Sequence, residues 1–296
     1  MRVVRTFAAA RGAAAGPVTL VPTMGALHEG HLSLIRHARS LPGTVLVSLF
    51  VNPLQFDEQG DLDRYPRTEE RDAELAAEAG CDVVFAPPLA EMYPTTPQAT
   101  VVMEGVTERM EGARRPGHFS GVATVVAKLF AGLRPDVAVF GRKDAQQLVV
   151  VSRMAADLSF PVEVVGRPTV REPDGLALSS RNVFLDAAER HASLALSRGL
   201  MAAADAAQAG ERAGAVLEGT VLDEIDRIPM VRSEYVELAD AATAARLAVL
   251  DRPAFLAVAA RVGGTRLIDN VWFEAPHVPD RGQWLSRPSQ LSQGGG

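Results

Sequence analysis

The strongest constraint in this sequence is a regular alternation of short apolar runs with stretches of helical spacing. The runs are rich in Val, Leu and Phe, are apolar on both faces, and lie at 18–21, 44–51, 82–86, 136–140 and 162–165. Apolar residues recur at helical spacing between them, at 31–39, 68–79, 120–133 and 145–158. Strands that are apolar on both faces are typical of buried parallel sheets. The pattern therefore predicts an α/β fold with a doubly wound parallel sheet, and ligands bound at the carboxyl ends of its strands.

The pattern changes after the segment "LSSRNVFL" at 178–185. Two helices are predicted at 187–210 and 211–225, followed by strands at 234–240 and 254–274, with a Gly-Gly hairpin in the last stretch. We therefore predict a first domain over 1–174 and a smaller α+β domain over 175–278. Residues 279–296 show no periodicity and are expected to form a disordered tail.

Composition excludes several classes of protein. The formal net charge of -6 and the pI near 5.6 leave no extended basic field, so we expect no nucleic-acid partner and no anionic membrane surface. Cys81 is the only cysteine, which excludes an internal disulfide and a cysteine-based metal site and is consistent with a cytoplasmic location. The apolar stretch at 121–133 contains Lys128 and is too short to span a bilayer, and the N-terminus lacks the apolar core of a signal peptide.

Two histidines lie in "PTMGALHEGHLSLI", 22–35, where the first predicted strand gives way to a helix starting near Gly30. Such a helix would aim its N-terminal N–H groups at a ligand phosphate. His28 and His31 are three residues apart, whereas a zinc-protease helix needs its two histidines four apart with a glutamate between them. Taken alone, the pair could also serve in capping and packing. The phosphate-type groups at other strand ends favour a binding role.

The segment "FGRKDAQQL", 140–148, follows another predicted strand. Lys143 could hold a triphosphate as a point charge, and Asp144 could accept from a ribose or base. A solvated turn with Lys143 and Asp144 paired is the alternative. Either Gln146 or Gln147 must face the same crevice, where a side-chain amide suits a neutral hydroxyl or a carboxylate.

Two further loops carry polar groups. The segment "LALSSRN", 176–182, presents two hydroxyls followed by the guanidinium of Arg181, a donor-rich loop suited to phosphate oxygens. A serine turn that caps the next segment is the alternative. The segment "LFVNPLQF", 49–56, places Asn52 and Gln55 after a buried strand. Turn chemistry explains Asn52 before a proline but does not explain Gln55.

Together with "RYPRT", "RPGHFSGV" and "TRLIDN", these segments lie in one order between about 18 and 274, and the chain resembles the pantoate–β-alanine ligase family of the His-x-Gly-His nucleotidyltransferase superfamily. The resemblance implies a Rossmann-like first domain, a C-terminal lid domain and a homodimer. It also implies the ATP-dependent condensation of pantoate with β-alanine to pantothenate, through a pantoyl adenylate, with release of AMP and pyrophosphate.

The resemblance also implies roles for individual residues. His31 matches the histidine usually assigned as proton donor, and His28, Lys143 and Arg181 complete the catalytic set, with Mg²⁺ on the phosphates. Gln55 and Gln147 match the pair that binds pantoate, and Gln55 could also serve the β-alanine side. ATP would be bound by Met24, Gly25, Ala26, Leu27, His28, Glu29, Gly30, His31, Gly141, Arg142, Lys143, Asp144, Val170, Leu178, Ser179, Ser180 and Arg181. No residue is assigned as a metal ligand.

Three residues depart from the family pattern, and two other functions stay open. Arg142 stands where glutamate is common, Ala145 where an aromatic residue is common, and Leu178 where methionine is common. A nucleotidyltransferase that moves AMP or CMP onto a phosphate ester shares the histidine pair and the Ser-Ser-Arg loop, but it should need a cationic pocket in place of Gln55 and Gln147. A non-catalytic nucleotide sensor would need no acyl substrate.

Overall fold

The computed structural model describes residues 1–56, 59–275, 278–289 and 291, and its internal contacts divide the chain into two compact units. In this division residues 168–174, which were predicted to close the first domain, belong to the second unit, where Val170 and Arg171 pair with Gln283 and Trp284. The first unit comprises Met1–Leu27, His31–Phe140 and Val150–Arg167, and the second comprises His28–Gly30, Gly141–Val149 and the described part of Pro168–Gly296.

The first unit is built on a six-stranded parallel sheet, which confirms the predicted doubly wound α/β class. Its strands are β1 (Arg2–Val4), β2 (Val18–Thr23), β3 (Thr44–Leu49), β4 (Val83–Phe85), β5 (Val137–Gly141) and β6 (Glu163–Arg167). Their spatial order is β1-β4-β3-β2-β5-β6. Strand β1 was not predicted, because three residues are too few to show a periodicity.

Helices connect these strands, and the four with clear apolar spacing were predicted from the sequence. The short helices α1, α3, α5 and α6 were not, since a helix of one or two turns carries little pattern. The helices are α1 (Phe7–Ala13), α2 (Glu29–Ser40), α3 (Gln59–Arg64), α4 (Glu69–Glu78), α5 (Leu89–Met92), α6 (Met110–Arg114), α7 (His118–Leu133) and α8 (Ala145–Asp157). None of the helices in the described ranges is long and apolar enough to cross a membrane.

The core of the first unit explains why its strands read as continuous apolar runs. Every residue of β3 is buried, including Ser48, because a central parallel strand is covered on both faces. Helix α2 buries one apolar side, and its Ile35 packs in the same cluster as Val21 and Val47. Burying such aliphatic side chains stabilises the fold by about 1.5 to 3 kcal/mol each.

The second unit contains a four-stranded antiparallel sheet and two helices, as the predicted α+β pattern requires. Strands β9 and β10 form the predicted hairpin, whose turn includes Gly263 at a φ of 54°. The elements are β7 (Val170–Arg171), α9 (Ala187–Gln208), α10 (Gly214–Asp226), β8 (Val231–Asp240), β9 (Ala254–Val262), β10 (Thr265–Ala275), β11 (Val278–Asp280) and β12 (Gln283–Trp284). The sheet order is β11-β10-β9-β8, and β12 pairs with β7.

The expectation of a disordered tail from residue 279 is wrong for 279–289. Strand β11 pairs with β10, strand β12 runs parallel to β7, and the backbone N–H and hydroxyl of Ser289 both bond the buried carboxyl group of Glu172. These contacts are backbone pairs and one polar anchor, so they leave no apolar periodicity in the sequence. Residues 290 and 292–296 lie outside the described residues.

A buried ion pair connects these C-terminal strands to the rest of the second unit. Arg171 is fully buried, and its guanidinium binds both carboxyl oxygens of Asp269 at 2.6 and 3.0 Å. Its other bonds go to the carbonyl oxygens of Gly175, Asn270 and Arg281, at 3.2, 3.0 and 2.8 Å. Each nitrogen of the guanidinium is thus bonded, which a buried charge requires.

We predict that Arg171→Met destabilises the second unit by about 3 to 5 kcal/mol, because Asp269 would stay buried without its partner. Both tryptophans, Trp272 and Trp284, belong to this unit, so urea unfolding followed by tryptophan fluorescence reports on it directly. Arg252→Met, which removes an exposed pair with Asp251, is the matched control and should keep the wild-type midpoint. Equal midpoints for both variants would contradict a supporting role for the buried pair.

Candidate active site

The loop after β2 follows a path that is set by a buried carboxyl group. Gly25 and Ala26 have positive φ angles of 85° and 51°, and the N–H groups of Ala26 and Leu27 donate to the two carboxyl oxygens of Asp72, at 2.9 and 2.7 Å. The N–H groups of Ala26 and Leu27 are therefore bonded within the first unit. The side chain of Met24 is partly exposed and that of Leu27 packs in the core.

His28 and His31 follow the loop after β2. Helix α2 starts at Glu29, and Nδ1 of His28 accepts a hydrogen bond from the N–H of Gly30 at 3.2 Å. His28 therefore caps the helix, as the capping alternative predicted. Because Nδ1 accepts this bond, a neutral His28 ring carries its proton on Nε2. A donor is thus carried by the nitrogen that the cap does not use. His31 is the third residue of α2 and is partly exposed.

Gly30 has a steric reason to be glycine. A Cβ built at Gly30 would lie 2.8 Å from Cε1 and 2.9 Å from Nδ1 of His28, well inside van der Waals contact, and 3.9 Å from Cβ of Leu178. The absence of a side chain at Gly30 lets the His28 ring lie against the helix start. This contact supplies a physical reason for the His-x-Gly-His spacing.

The segment after β5 is held by strand β10. The side-chain amide of Asn270 donates to the carbonyl oxygen of Lys143 at 2.6 Å, and the indole N–H of Trp272 donates to that of Arg142 at 3.0 Å. Nζ of Lys143 lies 3.4 Å from a carboxyl oxygen of Asp144, so the pairing weighed as an alternative is present. A single 3.4 Å contact to a half-exposed carboxylate is weak, and it leaves Lys143 able to exchange partners.

Arg142 is committed to a different interaction. Its guanidinium lies 2.8 Å from carboxyl oxygens of both Glu274 and Asp280 and stacks near the ring of Trp272, 5.4 Å from the ring centre. Burial alone would lower the pKa of Arg142, but the hydrogen bonds to Glu274 and Asp280 raise it above its ordinary value. A role for Arg142 in ATP binding would therefore rest on its backbone.

The two glutamines that open α8 differ in exposure. Gln146 is 4% exposed, whereas Gln147 is partly exposed. Only one of the two was expected to face a ligand. The exposure favours Gln147, which is the residue that the resemblance implies.

The third segment, 170–182, combines buried and accessible residues. The N–H of Leu178 donates to the carbonyl oxygen of Val170 at 2.9 Å, and both side chains are buried. Oγ of Ser179 accepts from the N–H of Arg181 at 3.3 Å and caps the 3-10 turn Ser180–Phe184, so the serine-turn alternative is correct for Ser179. Ser180 and Arg181 remain partly exposed.

The loop after β3 holds Gln55 in a 3-10 turn, Pro53–Gln55, capped by Asn52. The carbonyl oxygen of Gln55 accepts from Nδ1 of His118 at 2.8 Å and from Arg115 at 3.2 Å. The side-chain amide nitrogen of Gln55 contacts Sδ of Met24 at 3.0 Å. The structure therefore brings together Met24 and Gln55 within the first unit.

Glycine at position 121 allows this turn to pack against helix α7. A Cβ built there would lie 2.1 Å from the carbonyl oxygen of Leu54 and 2.7 Å from the N–H nitrogen of Gln55, and both of these atoms belong to the backbone. The segment "RPGHFSGV", 115–122, thus supplies Gly121 for the close approach and His118 and Arg115 for the hydrogen bonds.

Comparison with known proteins identifies the family. A family model described as pantoate-beta-alanine ligase matches residues 1–272. The chain belongs to the pantoate–β-alanine ligase family. Pantothenate synthetase from Moorella thermoacetica is 50% identical over 280 residues, which cover 93% of this chain and 99% of that protein. The protein of the same name from Acidothermus cellulolyticus is 52% identical over 274 residues, covering 91% and 90%.

Solved structures of this family have the same fold. Pantothenate synthetase from Thermus thermophilus superposes with a TM-score of 0.87 at 48% identity, covering 91% of this chain and 98% of that one. Pantoate-beta-alanine ligase from Francisella tularensis, solved in complex with beta-gamma ATP and beta-alanine, superposes with a TM-score of 0.73 at 30% identity, covering 91% and 97%.

Four supporting residues of this family member were missed by sequence reasoning. Asp72, His118, Asn270 and Trp272 all act on backbone groups that are far away in the sequence. For His118, Asn270 and Trp272, the signal was limited to a polar or aromatic residue inside an otherwise apolar element, where buried polar groups need partners. Asp72 lies in a charged helix and gave no such signal. The motifs "RPGHFSGV" and "TRLIDN" contained two of them without showing what they contact.

We predict that Gly30→Ala impairs catalysis without unfolding the protein. The new methyl group must displace the His28 ring, and a misplaced group in an active site can cost about 100-fold in rate. The measurement is the rate of pantothenate formation, together with the thermal midpoint. Gly219→Ala, at a helical glycine whose added Cβ would have no heavy atom within 4 Å, is the matched control. Wild-type turnover in Gly30→Ala would show that the His28 ring position is unimportant.

Proposed function

We propose that this chain, a pantoate–β-alanine ligase, uses ATP to join pantoate and β-alanine through a pantoyl adenylate, with AMP and pyrophosphate as the other products. The observation that carries this proposal is the identity of about half of all residues with pantothenate synthetases over nearly their full length. The beta-gamma ATP and beta-alanine bound to the Francisella relative support the choice of these two substrates.

The first half-reaction forms a bond between a carboxylate oxygen of pantoate and the α-phosphorus of ATP. The bond from that phosphorus to pyrophosphate breaks, so negative charge grows on the leaving group. Catalysis of such a step consists mainly of positioning and of cationic stabilisation. We assign the stabilising groups to Lys143 and Arg181 as cations and to His28 and His31 as donors, with the cap at Gly30 directing the proton of a neutral His28 to Nε2.

The second half-reaction uses the amine of β-alanine. Its nitrogen attacks the carbonyl carbon of the adenylate, the bond to the AMP oxygen breaks, and the amine loses a proton. The amine must be neutral to attack, so this step is favoured as the pH rises. No residue is assigned to the β-alanine carboxylate.

Pantoate is assigned to Gln55 and Gln147, and ATP to the three segments named above. Asp72 binds the N–H groups of Ala26 and Leu27, and Glu274 and Asp280 bind the guanidinium of Arg142, so any contribution of these three residues to ATP binding would come from other backbone atoms. Within the described residues, no group of three or more His, Cys, Asp or Glu side chains is arranged to hold a metal ion. Mg²⁺ is assigned to the phosphates of ATP, with which it would enter as part of the substrate.

We further expect a homodimer in the cytoplasm. The family resemblance supports the dimer, and light scattering of the purified protein would test it. The thiol of Cys81 is buried, and burial raises its pKa to about 11, which keeps it protonated and unreactive. A single inert thiol is compatible with a reducing compartment.

The two alternative functions fit the site less well. Transfer of a nucleotide onto a phosphate ester would require cationic groups in place of the two glutamines, yet the side-chain amide of Gln55 contacts the neutral side chains of Asn52 and Met24. If the chain were a non-catalytic nucleotide sensor, its 50% identity to a pantothenate synthetase would have no explanation.

Pyrophosphate exchange tests the order of the chemistry. Given ATP, Mg²⁺ and pantoate without β-alanine, the protein should exchange labelled pyrophosphate into ATP, because the adenylate must form before the amine is useful. Lys143→Ala should lower the exchange rate by at least about 100-fold, since the charge on the leaving group loses a stabilising cation. Turnover with β-alanine should rise toward alkaline pH more steeply than exchange does. Exchange that requires β-alanine would contradict the two-step reaction.

Gln147→Ala tests the assignment of the pantoate site. We expect pantoate binding to weaken by about 1 to 3 kcal/mol, because polar groups of the substrate would lose their partner, while ATP binding stays close to wild type. Titration calorimetry with each ligand separately measures both. Gln208→Ala, at an exposed glutamine of α9, is the control and should bind both ligands normally. Equal losses for ATP and pantoate would indicate general damage instead.

A further inference from the structure

A chain of three hydrogen bonds in the first unit ends on the side-chain amide of Gln55. The hydroxyl of Tyr93 donates to Oδ1 of Asn52 at 2.9 Å, and Nδ2 of Asn52 donates to Oε1 of Gln55 at 3.1 Å. Nε2 of Gln55 then contacts Sδ of Met24 at 3.0 Å. Asn52 is 1% exposed and Gln55 is 9% exposed, so water competes little with these bonds.

The direction of this chain is determined at its start. Nδ2 of Asn52 also donates to the carbonyl oxygen of Gly121 at 3.1 Å. A carbonyl only accepts, so turning the Asn52 amide over would place two oxygens against each other. Its Oδ1 must therefore face Tyr93. Burial raises the pKa of Tyr93 to about 12, which keeps the hydroxyl protonated and able to donate.

The orientation of Asn52 determines that of Gln55. Because Nδ2 of Asn52 is a donor, Gln55 must present its oxygen to Asn52 and its NH₂ group to the other side. The backbone at Gln55 cannot easily rotate to compensate, since its carbonyl oxygen is held by His118 and Arg115. On that other side, the acceptor in the described residues is the thioether of Met24, which is a weak one. An oxygen of a ligand could replace it readily.

We propose that Tyr93 is a positioning residue for the acyl substrate: through Asn52 it holds the Gln55 amide with its N–H groups toward the substrate, so that this subsite selects an acceptor oxygen. The proposal rests on the assignment of Gln55 to pantoate. Pantoate offers carboxylate and hydroxyl oxygens that can accept. Tyr93 itself does not need to touch the substrate.

A double-mutant cycle on Tyr93 and Gln55 tests this relay. Tyr93→Phe keeps the ring that packs beside Phe50 and removes only the hydroxyl. We expect it to raise the KM for pantoate in pyrophosphate exchange by about 3- to 10-fold, the effect of one neutral hydrogen bond. The KM for ATP and the thermal midpoint should change little. In a Gln55→Ala background, the same substitution should change the KM for pantoate by less than about twofold.

Each outcome of the cycle has a separate meaning. If Tyr93→Phe costs as much in the Gln55→Ala background as in the wild type, Tyr93 acts through the fold and the relay is wrong. If Gln55→Ala itself leaves the KM for pantoate unchanged, Gln55 does not bind pantoate and the relay is wrong as well. The proposed overall reaction would still stand if that variant exchanged labelled pyrophosphate into ATP. Tyr235→Phe, which removes a hydroxyl in the second unit, is the matched control and should behave as wild type.

A second variant tests the direction of the bonds independently of Tyr93. Asn52→Asp has the same shape but, as a carboxylate, cannot donate to Gln55, so the Gln55 amide should turn its NH₂ group toward the new carboxylate and its oxygen toward the substrate. The KM for pantoate should then rise by more than in Tyr93→Phe. The ratio of KM values between Tyr93→Phe and wild type should stay constant from about pH 7 to 10, since the hydroxyl stays protonated there. An Asn52→Asp enzyme with normal KM, or a ratio that disappears at alkaline pH, would overturn the proposal.

Discussion

The loop after β2 depends on its hydrogen bonds to the buried carboxyl group of Asp72. This carboxyl group accepts the N–H groups of Ala26 and Leu27 and the hydroxyl of Thr68, and it lies beneath Gly25, where an added Cβ would come within 2.9 Å of its oxygen. Without that carboxyl group, the two N–H groups would lack a partner in a turn that already has two positive φ angles. Asp72, a residue of helix α4, therefore determines the path of the loop as far as Leu27.

Side chains that are distant in the sequence also bind backbone groups in the segments 49–56 and 140–148. Carbonyl oxygens at Arg142, Lys143 and Gln55 are held by the side chains of Trp272, Asn270 and His118, respectively, over separations of 63 to 130 residues. Long-range side-chain donors thus fix the backbone of these residues, and the side chains of Arg142 and Lys143 stay partly exposed while that of Gln55 is buried. Electrostatic catalysis requires this arrangement, because charges stabilise a transition state efficiently only when they are already in place. The buried pair of Arg171 and Asp269 extends it to the strand that precedes Leu178.

Periodicity allowed the sheet, the long helices and the hairpin to be predicted, since those elements bury a face whose residues recur at fixed spacing. The segments 22–35, 140–148 and 176–182 could be found because glycines, hydroxyls and charges follow predicted strands. Residues such as Asp72 could not, because a carboxylate in an amphipathic helix has the spacing of a surface residue although this one is 2% exposed. The strands at 278–284 escaped prediction for a related reason: two or three residues that pair through their backbones need no particular side chains.

The arginine at 142 shows how a departure from the family pattern can be compensated within one unit. The resemblance implies a glutamate at this position, so an arginine would reverse the local charge, yet Glu274 and Asp280 both contact its guanidinium. The two carboxylates are not equivalent, because the side chain of Glu274 is 63% exposed and that of Asp280 is 18% exposed, so solvent screens Glu274 more strongly. Asp280 lies in the segment that sequence periodicity assigned to a disordered tail. The contact with Arg142 therefore both orders that segment and balances the arginine's charge, whereas the contact of Lys143 with Asp144, at 3.4 Å, is long and weak.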